Sequence, residues 1–378
     1  MDIVISNIGQ LVTPIERTLD GAGNRYKIQI TNDTELYVRN GRITTEPSSR
    51  ASVQYQSIDA GGGVVLPGLI DPFWIMPRLP TWIAELPEST FPERDLLSWS
   101  MRLLQRTLRS GVTTIEIKCP HDSAFEGLGA LGHLKRQHHP RVIGTLLASL
   151  PENGTDRDRS VSALIGEVIP EIRHRRLATF CDIGWENHAG FISEARTVLR
   201  AASGAGLRLK LHIESAPLLE DMEQLALSLE VAAVGCASYL SPEMARNLSE
   251  NRVLPVYLPG IRGERTVARI EVRSLLDEGL PVAIGSGNGI PGCPSSSMWS
   301  VMSSAMDRME LTLPEAIVAC TLNNAEAMEM AHEAGSLENG KRADLVLLDL
   351  ADYREIESTL GYPPVSMVMV NGEVVHSV

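Results

Sequence analysis

The chain lacks the marks of a nucleic-acid-binding, membrane-embedded or disulfide-stapled protein. It has no basic excess: 47 aspartates and glutamates outnumber 34 lysines and arginines, for a formal charge of −13. That balance disfavours nucleic acid and anionic membrane surfaces as partners, since both require a basic footprint. No apolar run approaches the roughly 20 residues of a membrane span. The start, Met1-Asp2-Ile3-Val4-Ile5, lacks the basic region of a secretory leader. Five scattered cysteines (Cys119, Cys181, Cys236, Cys293, Cys320) are odd in number and form no CxxC pair. That suits a reducing cytosol better than a disulfide framework, and a cytoplasmic location is the expectation.

What is present is an ordinary globular composition, 43% hydrophobic and 21% charged, over 378 residues. The length suffices for one large domain and a smaller one. Both ends alternate apolar and polar residues in short runs broken by turn residues, with Asn40-Gly41 and Asn371-Gly372 as hairpin turns. They predict one β-sandwich domain built from residues 1–63 and 336–378. Between them, residues 64–335 alternate short apolar strands with helical stretches, the pattern of a parallel sheet. Strands are expected at 64–71, 112–117, 141–149, 180–186, 208–214, 231–237, 253–259 and 281–286. Eight β/α units over roughly 270 residues match a TIM (β/α)8 barrel. Gly61-Gly62-Gly63 is the expected hinge into that barrel, because glycine adopts almost any backbone angle.

Several segments carry a family likeness. Val65-Leu66-Pro67-Gly68-Leu69-Ile70-Asp71-Pro72 resembles the first barrel strand of the metal-dependent amidohydrolases. Residues 111–118, Phe180-Cys181-Asp182 with Glu186, and Leu209-Lys210-Leu211-His212 resemble strands two, four and five of the imidazolonepropionases within that superfamily. Residues 335–344 resemble a general superfamily signature, and Asp352-Tyr353-Arg354-Glu355 followed by Gly361 and Pro364-Val365 one closer to imidazolonepropionases. The resemblance implies a cyclic-amide hydrolase with a catalytic metal. It also places the metal-binding positions. The paired histidines after strand one fall on Phe73 and Ile75, the strand-six histidine on Cys236, and the strand-eight aspartate near Gly287. The strand-five histidine is kept as His212, while the carboxylate three residues later falls on Ser215, with Glu214 adjacent. Neither phenyl nor sec-butyl donates an electron pair to a cation, and a catalytic zinc needs three protein ligands and an open position.

The expectation is therefore an imidazolonepropionase-like barrel without the standard metal centre: a non-hydrolytic pseudoenzyme, with no cofactor. The alternative is a divergent hydrolase or isomerase on cyclic C–N bonds, using His212 and Glu214 as catalytic residues with little or no metal. A relocated zinc drawing on Asp71, His121, His188, His212 and Cys236 is the cofactor alternative, since these follow or end barrel strands on the face where barrel chemistry sits. Glu186 and Lys210 are expected to pair. Cys236 has no base at local spacing, and Ser286 is not in a nucleophile elbow. The glycines of 285–292 read as a flexible loop rather than a phosphate cradle. His133, His138 and His139 beside Lys135, Arg136 and Arg141 form a solvated patch, and Ser295-Ser296-Ser297 a loop and helix cap. Expected partners are a small cyclic amide-like ligand and further copies of the chain as a homo-oligomer, with no nucleic acid and no membrane.

Overall fold

The computed structural model describes residues 2–16, 26–44, 55–76, 103–123, 127–129, 140–151, 154–185, 191–213, 219–261, 268–290, 297–362 and 364–378. A parallel eight-stranded sheet runs in sequence order through Leu69–Ile75, Val112–Pro120, Arg141–Ala148, Phe180–Trp185, Arg208–Ile213, Ala233–Gly235, Leu254–Tyr257 and Ala283–Ile284, barrel strands one to eight. Strand two is buried at every position, as a strand covered by helices outside and by the barrel interior within must be. The covering helices follow from apolar spacing. In Phe191–Gly204 the buried residues are Phe191, Ala195, Val198, Leu199 and Ala202, one face of a 3.6-residue period. Pro242–Glu250 starts where Ser241 caps the Met244 amide and Pro242 takes the first turn, where no amide partner is needed.

Strands one and eight form no long ladder, and side chains hold the seam between them. The buried Asn324 amide donates to Ile70 O at 2.7 Å and to Ile284 O at 2.8 Å, and accepts from Ile284 N at 3.0 Å. Further up, Asp71 Oδ1 accepts from Ser286 N at 3.1 Å. Gly287 N donates to Phe73 O at 3.1 Å, and Ile75 N to Asn288 O at 2.8 Å. Residues 285–290 are therefore a closing piece of the barrel wall rather than part of the flexible loop expected, whose residues 291 and 292 lie outside the described residues. At Gly285 and Gly289 a Cβ would run into Phe73 and Ile75, so the approach requires glycine.

Both chain ends share a second sheet of eight strands, over a core of Ile3, Ile5, Ile8, Leu36, Val38, Ile43, Leu345, Leu347, Met367 and Met369. A bulge between Ile5 and Ile8, with Asn7 at φ 54°, shifts the alternation by one so that Ile8 still faces inward. Asn40-Gly41 and Asn371-Gly372 all have positive φ, the geometry that two-residue hairpin turns require.

Two expectations change here. The run 64–71 is two strands: Val64–Pro67 pairs with Asp2–Glu16 and Leu345–Leu348 in the terminal sheet, and Leu69–Ile75 begins the barrel. They part at Gly68, where a Cβ would overlap the Thr113 side chain. Gly61-Gly62-Gly63 is not a hinge into the barrel. It is a tight turn inside the terminal sheet, closed by Gly62 N to Asn7 O and Gly63 N to Ala60 O.

Candidate functional site

Barrel strands two and five carry charged or ionisable residues at alternate positions (Glu116 and Lys118; Lys210 and His212), so each pair shares one face, and strand four adds Asp182. That face is the barrel interior, and there they meet. Lys118 Nζ donates to Asp182 Oδ2, and to Glu116 Oε1 at 3.1 Å. Lys210 Nζ donates to Glu116 Oε2 at 2.5 Å, and Thr145 Oγ1 to Glu116 Oε1 at 2.7 Å. His212 Nδ1 lies 3.0 Å from Asp182 Oδ1. All six residues are buried, with Glu116, Asp182 and Thr145 wholly inaccessible.

Two ammonium groups balance two carboxylates, and the electrostatics follow. Burial pushes the Glu116 carboxyl up, but the charges of Lys118 and Lys210 outweigh it and hold it below its ordinary value. Asp182 is held well below the usual carboxylate range in the same way, by Lys118 and His212 against burial. Lys118 rises above the ordinary lysine value because Asp182 and Glu116 together outweigh desolvation. Lys210 is lowered, since burial and the nearby Lys118 exceed what Glu116 returns.

Over this network sits Phe73, 1% exposed. Lys118 Nζ is 4.4 Å from its ring centroid, a cation–π contact. The His212 ring meets it edge-on at 5.7 Å. Strands six and eight are cut away to receive the ring: a Cβ on Gly235 would overlap Phe73 Cε2, and one on Gly285 would come within 2.9 Å of Phe73 Cβ. Trp74 is buried beside it and Ile75 half-buried. The ring is packed from every side that the described residues define.

His212 lies at this site, buried and oriented by Asp182. Glu214, Ser215, Glu186, His188, Cys293, His133, His138 and His139 lie outside the described residues. Lys210 is paired with Glu116, and its expected partner Glu186 lies outside the described residues. The other zinc candidates have separate engagements: Asp71 Oδ1 accepts from the Phe73 and Ser286 amides, and His121 Nδ1 accepts from Ser149 N at 3.3 Å. Cys236 is buried at the end of strand six. Among the described residues no three His, Cys, Asp or Glu side chains gather as a metal-holding group. Glu116, Lys118 and Asp182 are the site residues that sequence reasoning missed. The signal for Glu116 and Lys118 was a pair of charges two residues apart in an apolar strand, and for Asp182 a lone carboxylate in another.

The model of the amidohydrolase family matches residues 170–375. The imidazolonepropionase of Geobacillus thermodenitrificans is 34% identical over 351 residues, covering 84% of this chain and 82% of that protein. The imidazolonepropionase of Deinococcus radiodurans is 30% identical, covering 98% of this chain and 99% of its own. Among solved structures, Escherichia coli guanine deaminase superposes with a TM-score of 0.73 at 16% identity over the whole of both chains, a likeness of fold. The chain belongs to the amidohydrolase family, as an imidazolonepropionase-like member.

The family normally binds metal, so the interior must be tested against a divalent cation. The described residues do not fit one. Phe73 and Ile75 offer no donor where the family likeness puts two histidines. Both oxygens of Asp182 and both of Glu116 are already engaged, chiefly by ammonium groups. A second cation beside Lys118 would meet its charge in a medium of low dielectric.

Proposed function

We propose that this protein keeps the imidazolonepropionase-like scaffold without the standard metal centre and does not hydrolyse cyclic amides. The observation that carries this reading is the Phe73 ring, received by Gly235 and Gly285 and lying on Lys118 and His212. Water attack on a cyclic amide needs an activated hydroxide, a polarised carbonyl and a proton donor for the leaving nitrogen. General-base help from His212 and Glu214 is worth about 10²–10⁴-fold, short of the ~10⁶-fold or more of ordinary enzymes. On this reading the protein is a cytoplasmic homo-oligomer that binds a small cyclic amide-like ligand or a partner. No helix among the described residues is long and apolar enough to cross a membrane.

One observation favours a second reading, a divergent hydrolase or isomerase. His212 Nδ1 stands 3.0 Å from Asp182, the arrangement that fixes an imidazole for acid–base work. Elemental analysis of the purified, untagged protein, coupled to an assay on imidazolonepropionate, separates the two. The expected outcome is less than one tightly held metal per chain and no metal-stimulated turnover. Stoichiometric metal with chelator-sensitive turnover, abolished in His212→Ala, would overturn the proposal. Metal-independent turnover lost in His212→Ala would establish the second reading.

A further inference from the structure

A cavity lies away from the barrel mouth. It has a volume of about 830 Å³ and opens between the terminal sheet and the entry to barrel strand two. Ser110, on its wall, stands just before Val112, where that strand begins, so the cavity is at the N-terminal end of the strands. Barrel chemistry occupies the other end. The volume is that of a small-ligand site.

Its lining is unusual for so acidic a chain. Arg106 and Arg109, one turn apart on the helical stretch 103–109, both line it. Neither guanidinium has a hydrogen-bond or carboxylate partner among the described residues, although the chain carries 47 acidic residues. The stretch that presents them is fixed, because Leu104, Thr107 and Leu108 on its other face are buried. The cavity floor is fixed too: the Trp299 indole N–H donates to Ser110 O at 2.6 Å. From the sheet side comes His376, half-buried on the edge strand Glu373–Ser377. Its pKa is lowered by burial and then by the positive charge of Arg109. One acidic side chain, Asp349, shares the lining.

We propose that this cavity binds a small ligand through an oxyanion group, phosphate or carboxylate, held by Arg106 and Arg109. A guanidinium offers a planar fork of donors that matches either group. Two unpaired forks on a rigid helix face hold that geometry ready before the ligand arrives. The site is independent of the barrel interior, so it stands whether or not that interior catalyses a reaction.

The test is calorimetric titration and thermal melting of the full chain with sodium pyrophosphate and, separately, with citrate, at constant ionic strength. Saturable binding of at least one probe is expected, raising the melting temperature by about 2–4 °C. The double variant Arg106→Gln/Arg109→Gln should lose tenfold or more in affinity while melting like the parent in plain buffer. Both arginine side chains are exposed and have no hydrogen-bond or ion-pair partner among the described residues. Preference for pyrophosphate marks a phosphate site, and preference for citrate a carboxylate site. Absence of saturable binding by either probe, undiminished binding in the double variant, or a shift that sodium chloride reproduces would each overturn the proposal.

Discussion

Strands two, four and five fill the barrel interior with charge, while strands one, six and eight fill it with a phenyl ring and the hollows that receive it. The two halves are held by different physics. Glu116, Lys118, Asp182, Lys210 and His212 form a connected set in which each ion is compensated by another. Such a set is costly to desolvate and adds little net stability while whole. Phe73, Gly235 and Gly285 are held by shape, where the gain comes from apolar burial and close contact. Together they fill the barrel interior, one part by charges that neutralise one another and the other by shape.

The comparison is broken most sharply from the charged side. Lys118→Met removes the ammonium shared by Asp182 and Glu116 and leaves two buried carboxylates with Lys210 and His212 alone. The expected loss is about 3–5 kcal/mol of unfolding free energy, measured by urea denaturation. A loss under about 1 kcal/mol would show that the two carboxylates do not depend on Lys118, and that the network is not continuous.

Much of this division was legible in the sequence, and the remainder was not for definite reasons. Eight β/α units, the terminal β-domain and the missing donors at Phe73 and Ile75 could all be read from local pattern. The inward face of strands two and five could be read from ionisable residues at every second position. Which charge meets which could not. Asp182 and Lys210 are register partners on adjacent strands, yet the Lys210 ammonium reaches Glu116 on strand two. Cross-barrel pairing depends on side-chain reach, and local spacing carries no record of it. Nor could the sequence tell a glycine that frees a loop from one that admits a neighbour. Gly61 and Gly62 serve a turn, whereas Gly235 and Gly285 make room for Phe73, and the letters are the same.

The packed half gives a sharper, smaller effect. Gly235→Ala places a methyl group into the Phe73 ring and should cost about 1–3 kcal/mol through overpacking. If that cost comes from the ring, it should largely vanish in a Phe73→Ala background. The double variant would then be more stable than the sum of the two single losses by about 1 kcal/mol or more. Simple additivity in denaturant unfolding would mean that the strand-six wall is not shaped around Phe73.

The smallest effect lies at the seam where the two halves join, at Asp71. Its carboxyl is wholly buried, accepts from the Phe73 and Ser286 amides through Oδ1, and makes no hydrogen bond through Oδ2. Burial pushes its pKa up to about 6, against the opposing pull of the bonds from Ser286 and Phe73. In the unfolded chain an aspartate titrates near ~3.9. Between these two values the folded protein holds a proton that the unfolded chain has released. Stability therefore rises from this group as pH falls through about 6, and the gain is complete below about 4. At neutral pH the charged form carries the penalty instead. From pH 7 to pH 5 the linkage relation gives a gain on the order of 1 kcal/mol. Asp71→Asn keeps an acceptor for the two amides and has no proton to bind, so its stability should lack this component. The expected result is a variant whose stability relative to the parent falls by roughly 1 kcal/mol as pH is lowered from 7 to 5. Parallel pH profiles for the two proteins would place the Asp71 carboxyl in contact with water and remove it from the seam.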